Sequence, residues 1–130
     1  MGYALSITVD GPFQRTLDAT RQALADQGFG VLTEIDLSAT LKAKIDVDVA
    51  PQVILGACRP PLAYAAIQAE PSIGLLLPCN VVVRALTEDR TMVEAMDPEV
   101  MVRLTGNQDL ATVAADARTR LTAALDVLAS

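Results

Sequence analysis

Cys79-Asn80-Val81-Val82-Val83-Arg84-Ala85-Leu86, Thr87-Glu88-Asp89-Arg90 and Thr91-Met92-Val93-Glu94-Ala95-Met96 follow one another without a break. They read as a strand, a polar turn and an antiparallel return strand: a hairpin late in a chain whose earlier strands are separated by helices. Upstream, Ile73 to Leu77 continues the first of these strands, and Pro78 interrupts it as at a bulge or a sheet edge.

Toward the N-terminus, Pro60-Pro61 starts a helix that turns Leu62, Ala66 and Ala69 inward and ends at Pro71. Gln52 to Cys58 is a strand apolar enough to be buried on both faces. Before it, Val31, Thr33, Ile35 and Leu37 point inward from a strand that turns Glu34 and Asp36 outward, and Ser38 caps a short helix carrying Leu41 and Ile45. Tyr3, Leu5, Ile7 and Val9 alternate with Ala4, Ser6, Thr8 and Asp10, the period of a strand with one apolar face. Gly11-Pro12 then opens a helix with Phe13, Leu17, Thr20 and Leu24 on one stripe. Gly28 closes it as a left-handed cap, with Phe29 packing back on the last turn. Toward the C-terminus, Asp97-Pro98-Glu99 begins a short helix that stops near Gly106. Asn107 caps a final helix with Leu110, Val113, Ala117, Leu121, Ala124 and Leu128 on one face. The order β-α-β-α-β-α-β-β-α-α predicts an α+β fold: a single mixed sheet of about five strands covered by helices, in one domain over residues 1–130.

Composition excludes several partners. With 52% hydrophobic residues in 130, the chain holds ample core material without a metal or disulfide staple. Aromatic residues are 3% with no Trp, too few for a stacking platform for single-stranded nucleic acid. A net charge of −6 works against phosphate backbones as well. Met1 to Ser6 lacks the basic start of a secretory peptide, Asp10 interrupts the only apolar stretch there, and no segment is long enough to span a bilayer. The expectation is a soluble cytoplasmic protein whose two cysteines are reduced thiols, with neither nucleic acid nor membrane as partner. No histidine is present, which removes the commonest general base, the Ser-His and Cys-His pairs and the usual zinc ligand.

Three words stand out in order: Gly30-Val31-Leu32-Thr33-Glu34-Ile35-Asp36, Gly56-Ala57-Cys58-Arg59-Pro60 and Leu77-Pro78-Cys79-Asn80-Val81-Val82-Val83. Together with the strand-helix start, the Asp97-Pro98 turn and the final helix, they resemble the domain of unknown function 302 family over essentially the whole chain. The resemblance implies a compact α+β fold and a homodimer, and it brings no catalytic residues. The family's pattern has Asn more often than Arg at the position of Arg59.

Cys58 is the leading candidate for chemistry. It closes a strand two residues before a proline-started helix, where free amides and the neighbouring Arg59 would favour a thiolate. Cys58 is the seventh residue from Gln52, and Cys79 the seventh from Ile73. Parallel pairing of these strands would set the two cysteines side by side, close enough for a dithiol, a disulfide or a soft-metal clamp. Against this, a free cysteine commonly packs as a small hydrophobe, and apolar surroundings raise its pKa. Gly56 suggests a close backbone approach or a bulge beside Cys58.

Glu34 and Asp36, and separately Glu94, are carboxylates on strand faces that could serve as acid and base or hold a cation; the alternative is a solvated outer face. Lys42 and Lys44 could meet an anionic ligand near Glu34 and Asp36 or simply be charges on an exposed helix, and Tyr64 could bring its hydroxyl toward Cys58 or simply half-bury its ring. Gly28-Phe29-Gly30 lacks the third glycine of a phosphate loop and precedes a strand.

Three functional classes stay open. The first is a non-catalytic homodimer holding a small ligand in a cleft walled by Cys58, Arg59, Pro60, Tyr64 and Cys79, with Glu34 and Asp36 nearby. The second is a thiol-redox or soft-metal protein using Cys58 and Cys79. The third is a structural or interaction module. No cofactor is expected, and the absence of catalytic partners favours the first. A mean hydropathy of +0.36, high for a small soluble monomer, adds to the case for a homodimer.

Overall fold

In a computed structural model, residues 2–129 are described; Met1 and Ser130, the ends of the expected span, lie outside them. The chain runs β1 (Ala4–Asp10), α1 (Phe13–Asp26), β2 (Gly30–Asp36), α2 (Leu37–Ile45), β3 (Gln52–Cys58), α3 (Pro60–Ala69), a 3-10 helix (Pro71–Leu76), β4 (Cys79–Thr87), β5 (Arg90–Met96), α4 (Glu99–Thr105), a second 3-10 turn (Gln108–Leu110) and α5 (Ala111–Ala129). The five strands form one sheet in the order β1-β5-β4-β3-β2. The α+β class, the five strands and the order of elements are those the sequence pattern indicates.

Every strand pairing is antiparallel. The parallel pairing on which the cysteine argument rested is therefore replaced. A parallel return needs the connecting helix to cross back over the sheet. Here α3 lies beyond the end of β3, against α5 and the 3-10 helix, and the chain re-enters beside the strand it left. Ile73 to Leu77 is not a strand either. Pro71 at the first turn starts the 3-10 helix, and Ile73 points into a second apolar cluster with Ala66, Met101, Leu110 and Ala114.

Alternation along the strands builds the main core. Leu5, Ile7 and Val9 of β1, Val93 and Ala95 of β5, Val81 and Val83 of β4, and Val53, Leu55 and Ala57 of β3 share one face with Leu17 and Leu24 of α1 and Leu121 and Leu125 of α5. The opposite face carries Ile54, Val82, Arg84, Met92, Glu94 and Met96, all half-buried. β3 is thus fully buried on one face, not two, because α1 and α5 cover only that side. β2 departs further from expectation. All seven of its residues are exposed, and its register turns Ile35 toward Ile54 on the face away from α1 and α5. A bulge between Val31 and Thr33 shifts the phase of the strand.

Gly28 caps α1 as its position indicates. Its φ of 83° is left-handed, its N–H donates to Ala25 O at 2.9 Å and that of Phe29 to Leu24 O at 3.0 Å, while Phe29 buries its ring in the core. Gly28→Ala is expected to cost about 1–2 kcal/mol from the backbone conformation alone. Chemical denaturation of the two proteins measures it, and equal midpoints would contradict the assignment.

Candidate functional site

The site begins where β3 must stop. Pro60 and Pro61 cannot donate to a ladder, and the residue before a proline is held extended, as Arg59 is at φ −103° and ψ 107°. The Arg59 carbonyl accepts from the amides of Leu62 and Ala63, both at 3.0 Å. The free amides expected beside Cys58 are therefore absent: two of the first residues of α3 are prolines and the next two amides are occupied.

The Arg59 side chain runs back over Gly28. A Cβ on Gly28 would come within 3.0 Å of Arg59 Nε, so the glycine's missing side chain is what lets the arginine lie there. Arg59 Nε is buried and has no hydrogen-bond partner. Such an unpaired donor costs roughly 1–3 kcal/mol relative to one that meets an acceptor.

Cys58, Arg59 and Cys79 meet at a cavity of about 30 Å³ walled by apolar side chains including Phe29, Leu62 and Met101. Among its lining residues Arg59 is the one charge, and no carboxylate faces it. The cysteines are brought together by antiparallel rather than parallel pairing. The end of β3 adjoins the start of β4, Cys79 lies opposite Ala57, and Cys58 is the next residue along. Both are free thiols. Burial pushes the Cys79 thiol up to about 11, with the nearby Cys58 adding to the effect. That makes Cys79 a poor thiolate at neutral pH.

Gly56 is another close approach. A Cβ there would collide with Thr33 Oγ1 and come within 2.9 Å of Pro78 Cγ. The opposing bulge in β2 sits at this point.

The remaining candidates lie elsewhere. Pro60 is exposed at the start of α3, outside the cavity lining. Tyr64 is 65% exposed, and its hydroxyl accepts from Gln68 Nε2 at 3.0 Å. Glu34 is paired with Arg21 of α1. Asp36 is the N-cap of α2, a place the sequence reading had given to Ser38. It accepts from the Ala39 amide at 2.9 Å and from Ser38 Oγ at 2.8 Å, and these bonds hold its carboxyl below the usual range. Glu94 meets Arg84 at 2.9 Å on the opposite sheet face. Lys42 is paired with Asp46 at 2.8 Å, and Lys44 is exposed. Glu34 and Asp36 are thus each committed to a structural contact rather than converging on a common ligand.

The sequence matches, over residues 5–128, the family described as Domain of unknown function DUF302. The chain belongs to the DUF302 family. The crystal structure of an uncharacterized conserved DUF302 protein from Bacillus stearothermophilus is similar to it throughout. The TM-score is 0.90 at 27% sequence identity, over 98% of this chain and 99% of that one. No curated protein matches the chain. Among the described residues, no helix is long and apolar enough to cross a membrane, and no three or more Cys, Asp or Glu side chains gather as a metal site would require.

Sequence reasoning missed most of the walls of this DUF302 cavity. Phe29 carried a signal, since a large apolar residue after a capping glycine must pack nearby. Met101, Val113 and Ala117 come from α4 and α5, far along the chain, and no local pattern links them to Cys58. A larger open groove of about 400 Å³ between α1, the end of β1 and the end of α5, with Arg15 and Asp26 on its rim, was also not foreseen.

Proposed function

We propose that this DUF302 protein is a single-domain, cytoplasmic, non-catalytic binding protein that acts as a homodimer and holds a small ligand at Cys58, Arg59 and Cys79. One observation carries the reading: Arg59, the one charged residue lining an otherwise apolar cavity, has a buried Nε with no hydrogen-bond partner. A donor so placed calls for an acceptor, and with no carboxylate in the lining that acceptor is best supplied by an anion. The volume suits a head group of a few atoms, so the ligand is a small carboxylate. Chemistry on the ligand is disfavoured because no histidine is present and Cys79 is held as a thiol.

Thermal unfolding of wild type and Arg59→Met in the presence of formate, acetate, propionate and pyruvate tests this. A carboxylate at a hundred times its Kd should stabilise wild type by about 2.7 kcal/mol, a rise of several degrees, and leave Arg59→Met unmoved. Without ligand the variant should be as stable as wild type or more so, since it removes an unsatisfied donor while keeping an unbranched stem. A panel that shifts neither protein, or both equally, would refute the assignment.

A further inference from the structure

The cavity at the end of β3 lies on the seam between the two apolar clusters. Phe29, Ala57, Cys79 and Ala117 of its wall belong to the larger cluster, Ala66 and Met101 to the smaller. It stays open because much of that wall is small: Ala57, Ala63, Ala66 and Ala117 all line it. Its volume of about 30 Å³ decides what fits. A buried water needs roughly 10–15 Å³ of such space, so about two water-sized groups can enter. A carboxylate head nearly fills that space by itself. A methyl beyond the head is the last group the walls admit, because a close-packed interior takes further methylenes only by forcing side chains off their rotamers.

Burial shows which side chain sets that limit. Leu62, Leu77 and Val113 of the wall are half-buried and border solvent, so shortening any of them opens the cavity outward. Met101, carried by α4, is 2% exposed and is the one long, unbranched side chain among the buried wall residues. It packs in one cluster with Ile73, Leu110 and Ala114. Space released by shortening it is therefore enclosed space, contiguous with the cavity it lines.

We infer that Met101 is the specificity-determining residue of this cavity and restricts it to the shortest straight-chain carboxylates, formate and acetate. The inference rests on the carboxylate reading of the Arg59 cavity and adds to it an upper limit of ligand size and the residue that sets it. Arg59 supplies recognition of charge, which every carboxylate satisfies alike. Discrimination among them falls to the apolar wall, where one methylene changes binding by roughly tenfold or more.

Thermal unfolding with formate, acetate, propionate and butyrate, each titrated against wild type, Met101→Leu and Met101→Ala, decides it. Each protein is compared with its own melt without acid, so a lower starting stability of Met101→Ala does not enter the reading. Wild type and the volume-conserving Met101→Leu should bind formate and acetate roughly tenfold or more tightly than propionate and butyrate. Met101→Ala, having lost Cγ, Sδ and Cε, should bind propionate or butyrate best. Where that variant fails to fold, the milder truncation Met101→Val should still gain propionate. Wild type binding all four acids equally would overturn the size limit, since the chain would then leave through the mouth. A truncated variant that keeps the wild-type order would overturn the role of Met101. Both results leave the carboxylate reading standing, whereas a wild type that no acid shifts would overturn that reading and this inference with it.

Discussion

Leu121→Ala is expected to lower the free energy of unfolding by about 2–5 kcal/mol. Leu121 is 1% exposed and sits in the middle of the buried stripe Ala114, Ala117, Leu121, Ala124 and Leu125 of α5. That helix spans both apolar clusters: Ala114 belongs to the smaller one with Ile73 and Met101, while Leu121 joins α1 and the strand residues in the larger. Truncating it leaves a cavity between a helix and a sheet that are each pinned by other contacts, so little collapse can compensate. Leu104→Ala, at a residue 67% exposed on α4, should be near neutral. Urea unfolding of both variants measures the difference. Equal midpoints would mean that the phase of α5 is not the one described.

The Cys79 thiol should make the protein lose stability in alkali. Its folded-state value is raised to about 11, chiefly by burial. The folded protein therefore holds this proton more tightly than the unfolded chain, whose thiol titrates at the ordinary value of 9.0. Below that ordinary value both states are protonated and the contribution is fully present. As pH rises toward 11, the unfolded chain ionises first and is favoured progressively. The expected loss across this window is on the order of 2–3 kcal/mol, on top of whatever other groups contribute. Cys79→Ala should lack that component, so the test is the difference between wild type and variant in melts across the window. Parallel curves would show that the thiol is not desolvated. In the same preparations Cys79 should stay silent to a thiol reagent at neutral pH until the protein unfolds.

Local features of the sequence were sufficient for much of the architecture. Period-two alternation marked β1, and the polar Thr87–Arg90 turn marked the β4–β5 hairpin. The apolar stripe of α5 and the Gly28-Phe29 cap of α1 were legible because each depends on residues within a few positions of one another. The cysteine site was half legible. The Gly56–Pro60 segment pointed to the right end of β3, but the reasons offered there failed: the pairing is antiparallel, and the prolines of α3 remove the amides that would have favoured a thiolate.

What only the tertiary structure decided is which surfaces meet. A strand's alternation says that its two faces differ, not which one a helix will cover, so Ile35 was assigned to the wrong side once the bulge at Val31 and Thr33 shifted the register of β2. Composition fixed a charge of −6 but not the pairing of Arg84 with Glu94 or of Arg21 with Glu34. Nor can any local pattern show that Arg59 would lie across Gly28 with its Nε unpaired. That contact joins the end of α1 to the end of β3 through packing between segments distant in sequence. Chain order leaves such packing open, and the close fit of the core selects one arrangement.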